Sequence, residues 1–203
     1  AIVDIEENID GRLWIGSYTE GFGWLDTVTG QYHRASFSYG NAQSIFDIRH
    51  DKKGNLWLGT LGDGLKCYNP FNDKLQEFRA NGTQKNLPND FILQMALSPD
   101  ESTLYVGTSS GLATFDVRTH KWNAVLGGKS ILDNQNIYSI LDDGMGHIWI
   151  GTSQGLHCFD IKTKKLTVYT TADGLPDKRV CAIEKDNQGN LWISTNNGLA
   201  RFR

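Results

Sequence analysis

One short unit recurs five times along the chain. Arg12-Leu-Trp-Ile-Gly-Ser17, Asn55-Leu-Trp-Leu-Gly-Thr60, Thr103-Leu-Tyr-Val-Gly-Thr108, His147-Ile-Trp-Ile-Gly-Thr152 and Asn190-Leu-Trp-Ile-Ser-Thr195 are copies of it, and their fifth residues lie 43, 48, 44 and 43 residues apart. Such a period suits either four-stranded blades or paired-helix solenoids, so the content of the repeat has to choose. It chooses strands. Each copy holds short runs of β-branched and aromatic residues divided by Gly, Asn, Asp or Pro, and none is long enough for an amphipathic helix pair.

Within a copy the first run is apolar nearly throughout (Ile2–Ile5, Ile45–Ile48, Ile92–Met95, Ile137–Ile140, Val180–Ile183), as expected for an inner strand covered on both faces. Tight turns follow at Asp10-Gly11, Lys53-Gly54-Asn55, Met145-Gly146 and Gln188-Gly189-Asn190, and then the repeated unit as the second strand. A third strand opens at Gly21-Phe22, Gly64-Leu65, Gly111-Leu112, Gly155-Leu156 and Gly198-Leu199; in the first four copies it ends at Asp26, Asn69, Asp116 and Asp160, residues able to close a turn on their own backbone. The fourth strand carries an apolar pair: Tyr32 and Ala35, Leu75 and Phe78, Trp122 and Val125, Leu166 and Tyr169. One copy is thus one four-stranded antiparallel blade, and radial packing of blades buries both faces of such sheets. The expected fold is an all-β β-propeller, residues 1–203 forming a single region with blades near 1–40, 41–86, 87–132, 133–176 and 177–203. The fifth blade lacks its outer strand and no spare strand is at hand to close a ring, so a larger propeller is expected.

The string Asp-x-x-Gly-Asn-Leu-Trp-Leu-Gly-Thr, followed by Gly-Leu and an aromatic-Asp ending, resembles the two-component regulator propeller repeat. Leu87-Pro88-Asn-Asp90 and Gly174-Leu175-Pro176-Asp177 are similar to that family's approach to the inner strand; Tyr105 in place of Trp, and Ser194 in place of Gly, depart from it. The resemblance implies the periplasmic sensor region of a bacterial hybrid two-component system, detecting an oligosaccharide and signalling to a histidine kinase in the remainder of an inner-membrane-anchored chain. It leaves room for a homodimer through segments outside these residues. Kinase activity and DNA binding are not assigned to the residues in hand. A protein-interaction scaffold is the alternative, and a propeller lyase or lactonase a further one.

Charge excludes other partners. Twenty Lys and Arg against 23 Asp and Glu give a net charge of −3 without a block of like charges, which argues against nucleic acid or direct membrane contact. No apolar run approaches a membrane span, and the acidic start has none of the marks of a signal peptide. The five His (33, 50, 120, 147, 157) show no ligand spacing, so no cofactor or metal is expected; Leu126-Gly127-Gly128-Lys129 reads as a turn. Cys67, Cys158 and Cys181 are expected to be buried and reduced. Trp14, Trp57, Trp149 and Trp192 are expected between blades, Trp24 and Trp122 in packing, and Asp4 and Asp47 on backbone amides of a neighbouring blade.

Recognition would sit where loops vary on a rigid scaffold. The loops between second and third strands and those between blades emerge on one face and carry carboxamides, carboxylates, an aromatic and an Arg, groups suited to sugar hydroxyls. The candidate ligand-binding residues are Tyr18, Glu20, Asp63, Asn89, Asp90, Asn134, Asn136, Arg179, Asn196 and Asn197; Asn41, Gln43 and Asp177 stand in the same set of loops. No catalytic residues are expected.

Overall fold

The computed structural model describes residues 1–36, 44–82, 86–123 and 132–202; Asn41, Gln43, Val125 and the Gly127-Gly128 turn lie outside them. Blade 1 is β1–β4 (Ile2–Glu7, Leu13–Ser17, Phe22–Leu25, Tyr32–Arg34) and blade 2 is β5–β8 (Ile45–His50, Leu56–Thr60, Leu65–Asn69, Lys74–Phe78). Blade 3 is β9–β12 (Ile92–Leu97, Thr103–Thr108, Gly111–Asp116, Lys121–Asn123) and blade 4 is β13–β16 (Ile137–Asp142, His147–Thr152, Gly155–Asp160, Leu166–Tyr169). Blade 5 has three strands, β17–β19 (Val180–Lys185, Leu191–Thr195, Gly198–Phe202). Every sheet is an antiparallel meander in chain order, and the only helical piece among the described residues is a single 3-10 turn, Thr171–Asp173.

The turns form for the reasons their sequences give. Asp26, Asn69, Asp116 and Asp160 each accept two backbone N–H groups, those two and three residues on, at 2.8 to 3.3 Å. Gly54 and Gly189 sit at φ 77° and 84°, a left-handed conformation that costs a residue with a Cβ.

Blades meet through a repeated knob and hole. The first residue of each inner strand, Ile45, Ile92, Ile137 or Val180, presses on the Gly of the preceding blade's second strand. A Cβ on Gly16, Gly59, Gly107 or Gly151 would stand 2.9, 2.7, 2.6 or 2.7 Å from that side chain, so these glycines are required by close approach rather than by φ. Beside them Trp14, Trp57, Tyr105 and Trp149 are buried in four successive interblade cores. Trp57, for example, lies 5.5 Å from the ring of Phe115 in the next blade.

The two outer blades depart from this pattern. β1 was expected to be covered on both faces, yet Ile2 and Ile5 are 62% and 52% exposed, because no described sheet packs on that side. Trp192 is 37% exposed for the same reason on blade 5. Tyr32, expected as one of an apolar pair, is also exposed at the outer edge of blade 1.

Candidate functional site

The loops expected to share one face do interlock there through the backbone. Leu61 N donates to Ser44 O, Gly62 N and Gly64 N to Asp90 O, Ser109 N to Phe91 O, Asn134 N to Ser110 O, and Asn196 N to Arg179 O. Each loop between blades is thereby tied to the second-to-third-strand loop of the blade before it or after it.

This lattice draws several of the candidates into one polar rim across blades 3 to 5. Asn89 Nδ2 reaches Ser110 Oγ at 3.4 Å, and Ser110 leads through its carbonyl to Asn134. Asn134 adopts φ 60°, a turn conformation that Asn tolerates, and two residues on Asn136 Nδ2 donates to the Tyr138 hydroxyl at 3.1 Å. The Arg179 guanidinium lies over the Tyr138 ring, 4.3 Å from its centre, while Cys181 Sγ approaches Asn196 Oδ1 at 3.5 Å. Asn197 stays exposed beside Asn196.

Other candidates are engaged differently. Asp63 is paired with Arg79, and Asp90 accepts from Ala80 N at 2.7 Å, so both carboxylates brace their own loops. Tyr18 and Glu20 are exposed on blade 1; the Tyr18 carbonyl accepts from Ser44 Oγ and Glu20 N donates to Ser17 Oγ.

Beneath the rim, the inner strands carry polar groups of their own. As expected, Asp4 Oδ2 accepts from Ile48 N and Asp47 Oδ2 from Met95 N, both at 2.7 Å, each a staple to the next blade. Arg49 joins these staples: its Nη2 is 2.8 Å from Asp47 Oδ1, its Nη1 3.6 Å from Asp4 Oδ2, and its Nε donates to Met95 O. Burial pushes the Asp47 carboxyl up to about 8, the Arg49 guanidinium pulling the other way. Gln94, at the equivalent place in blade 3, makes no such staple, and its Oε1 is buried without a hydrogen-bond partner.

Cys67 and Cys158 are buried, which pushes their thiols up to about 12 and about 11. Cys181, expected to be buried too, is partly exposed because its strand closes the row of blades and its side chain rises toward the rim. Among the described residues no group of three His, Cys, Asp or Glu could hold a metal, and no helix is long and apolar enough to cross a membrane. His157 is buried in strand β15, and burial lowers its pKa.

Tyr138, Arg49 and Gln94 had no signal in the sequence beyond lying in inner strands. Their importance depends on which face of a strand turns toward the axis, and that is set by register.

Five such sheets in sequential radial contact define the class: a β-propeller. The model of the two component regulator propeller family matches residues 39–62, 131–154 and 174–197. The structure is similar to the extracellular domain of a B. thetaiotaomicron protein described as a hybrid two component system, with TM-score 0.83, 21% identity, and 100% of this chain over 28% of that one. It is also similar to the extracellular domain of a second B. thetaiotaomicron protein, described as a one component system (TM-score 0.78, 21% identity, 95% over 26%). Virginiamycin B lyase from Staphylococcus aureus shares the fold at TM-score 0.73 and 11% identity, 99% over 69%. The chain therefore spans about a quarter of the length of the two extracellular domains. No curated protein matches it in sequence.

Proposed function

We propose that this propeller region is a non-enzymatic ligand-sensing module in the periplasmic part of a hybrid two-component sensor, and that it recognises an oligosaccharide and signals to a kinase elsewhere in the chain. The observation that carries the reading is the rim: Asn89, Asn134, Asn136, Arg179 and Asn196, contributed by three blades, stand in a connected row around Tyr138. Carboxamides both donate and accept, and a half-buried aromatic beside them offers an apolar surface, the pairing that sugar rings call for. The repeat and the similarity to extracellular sensor domains support the same assignment.

The test is calorimetric titration of the complete sensor region with a panel of oligosaccharides. Arg179→Ala and Asn136→Ala should each weaken binding about tenfold or more, about 1.4 kcal/mol. If Lys53→Ala on the opposite face abolished binding while Arg179→Ala left it intact, the site would be on the wrong face. A complete sensor region that binds no saccharide would move the scaffold reading ahead, which the exposed faces of Ile2, Ile5 and Leu199 favour as partner surfaces.

A further inference from the structure

Every inner strand carries the same irregularity. The pairing of inner with second strand skips one residue in all five blades, between Ile2 and Asp4, Ile45 and Asp47, Ile92 and Gln94, Ile137 and Ser139, and Val180 and Ala182. The residues left out of the ladder are Val3, Phe46, Leu93, Tyr138 and Cys181, all at the loop-face end of inner strands that pack side by side. A bulge re-aims the side chain it frees, and five in register make a collar. Its members are Val, Phe, Leu, Tyr and Cys, apolar or nearly so, and none is fully buried. Tyr138 and Cys181 also line a cavity of about 330 Å³ between the inner strands of blades 2 to 5, together with Arg49, Gln94 and Glu184.

One acceptor in that cavity is left unpaired. Gln94 Oε1 is buried with nothing donating to it, and the Glu184 carboxylate is a second acceptor. The Arg49 guanidinium is already held by Asp47, Asp4 and the carbonyls of Met95 and Ile48. What Gln94 Oε1 lacks is a donor, since a buried acceptor left unpaired is a standing cost that a ligand hydroxyl offsets. The volume lies at the small end of ligand pockets, room for one ring rather than a chain.

We infer that the collar and the cavity below it form an end-binding subsite that takes a single neutral, hydroxyl-bearing ring, the terminal unit of a longer saccharide lying along the rim. The inference rests on the sensing reading and deepens it. Neutral ends fit and uronate ends do not, because a carboxylate would meet the like charge of Glu184 and the unpaired Gln94 Oε1, with the guanidinium already occupied.

Cys181 supplies the readout. Cys67 and Cys158 are buried with raised thiol pKa values, so alkylation followed by peptide mass spectrometry reports on Cys181 selectively. The complete sensor region is titrated with neutral and uronate-terminated oligosaccharides, and the iodoacetamide rate at Cys181 is measured with and without each binder. A neutral binder should slow the reaction about tenfold or more. Gln94→Leu should weaken that binder by a similar factor while the unfolding temperature stays level or rises, as expected when an unpaired polar atom is removed. Should Gln94→Leu not fold, Tyr138→Phe replaces it and should lower affinity several-fold. Binding without protection of Cys181, binding unchanged by the variant, or a preference for uronate ends overturns the subsite and leaves sensing at the rim intact. No binding by any saccharide overturns both.

Discussion

Trp57 and Trp192 occupy the same position of the same repeat, yet they live in different surroundings. Each donates its indole N–H to an Asp six residues earlier, Asp51 at 3.2 Å and Asp186 at 3.0 Å. Trp57 is completely buried among Met95, Leu104 and Phe115 of the next blade, whereas Trp192 is 37% exposed beside Arg201. The repeat encodes the residue and its local hydrogen bond; the neighbouring blade supplies the burial. In an array of this kind stability is a sum of intrinsic blade terms and interface terms, and the two tryptophans separate them.

The sharpest way to break the comparison is to truncate both rings. Trp57→Ala should cost roughly 3 to 5 kcal/mol in urea denaturation, the range for a large aromatic removed from a packed core, and Trp192→Ala about 1 kcal/mol or less. Equal losses would mean that burial between blades is not what holds the array together. Next comes the hole beside the ring. Gly59→Ala should cost about 1 to 3 kcal/mol, because its Cβ would meet Ile92 at 2.7 Å in a full core, while Ser194→Gly should change little. Ser194 is only half-buried, which accounts for the one copy in which Gly is replaced.

The third test uses pH. Asp186 is held down to about 2, first by the Asn190 side chain and then by the Trp192 indole. In the unfolded chain an Asp titrates near roughly 3.9, so on acidification the unfolded state takes up the proton first. The stabilisation from this group is therefore fully present above about pH 4 and fades as pH falls toward about 2. A urea midpoint followed over that window should drop less in Asp186→Asn than in the parent, and parallel curves would detach the turn from the acid response.

How much of this could be read beforehand follows from what each feature depends on. The blades, the Asx turns, the staples from Asp4 and Asp47 and the burial of Trp14, Trp57 and Trp149 all follow from local pattern repeated at a fixed period, and the structure shows each of them. The exposure of Ile2 and Trp192 could not be read, because it depends on whether a further sheet lies alongside. The collar could not be read either: a one-residue skip in pairing leaves Tyr138 looking like any apolar position of an inner strand. Arg49 and Gln94 became visible only once inner strands distant in sequence stood side by side. Asp73, on the opposite face and in the sequence an ordinary turn residue, holds the Tyr68 and Ser36 hydroxyls at φ 56°.

The smallest expected effect sharpens the comparison at two exposed turn positions whose backbone N–H groups bond within their own turns. Lys53 and Gln188 stand at matching places in the turns of blades 2 and 5, each with its backbone N–H on the Asp that opens the turn, both at 2.9 Å, and each followed by a left-handed Gly. Both side chains are exposed, and the blade 2 turn reaches blade 3 at the residue before, where Lys52 N donates to Glu101 Oε2 at 2.7 Å. Lys53→Ala and Gln188→Ala should each shift stability by no more than about 0.5 kcal/mol, by the same amount within error, and neither should alter saccharide binding on the opposite face. Chemical denaturation of the two variants side by side decides it. A clear cost for Lys53→Ala alone would show that the covered blade differs from the open one even in its turns, and the division between what the repeat encodes and what the neighbour supplies would have to be redrawn.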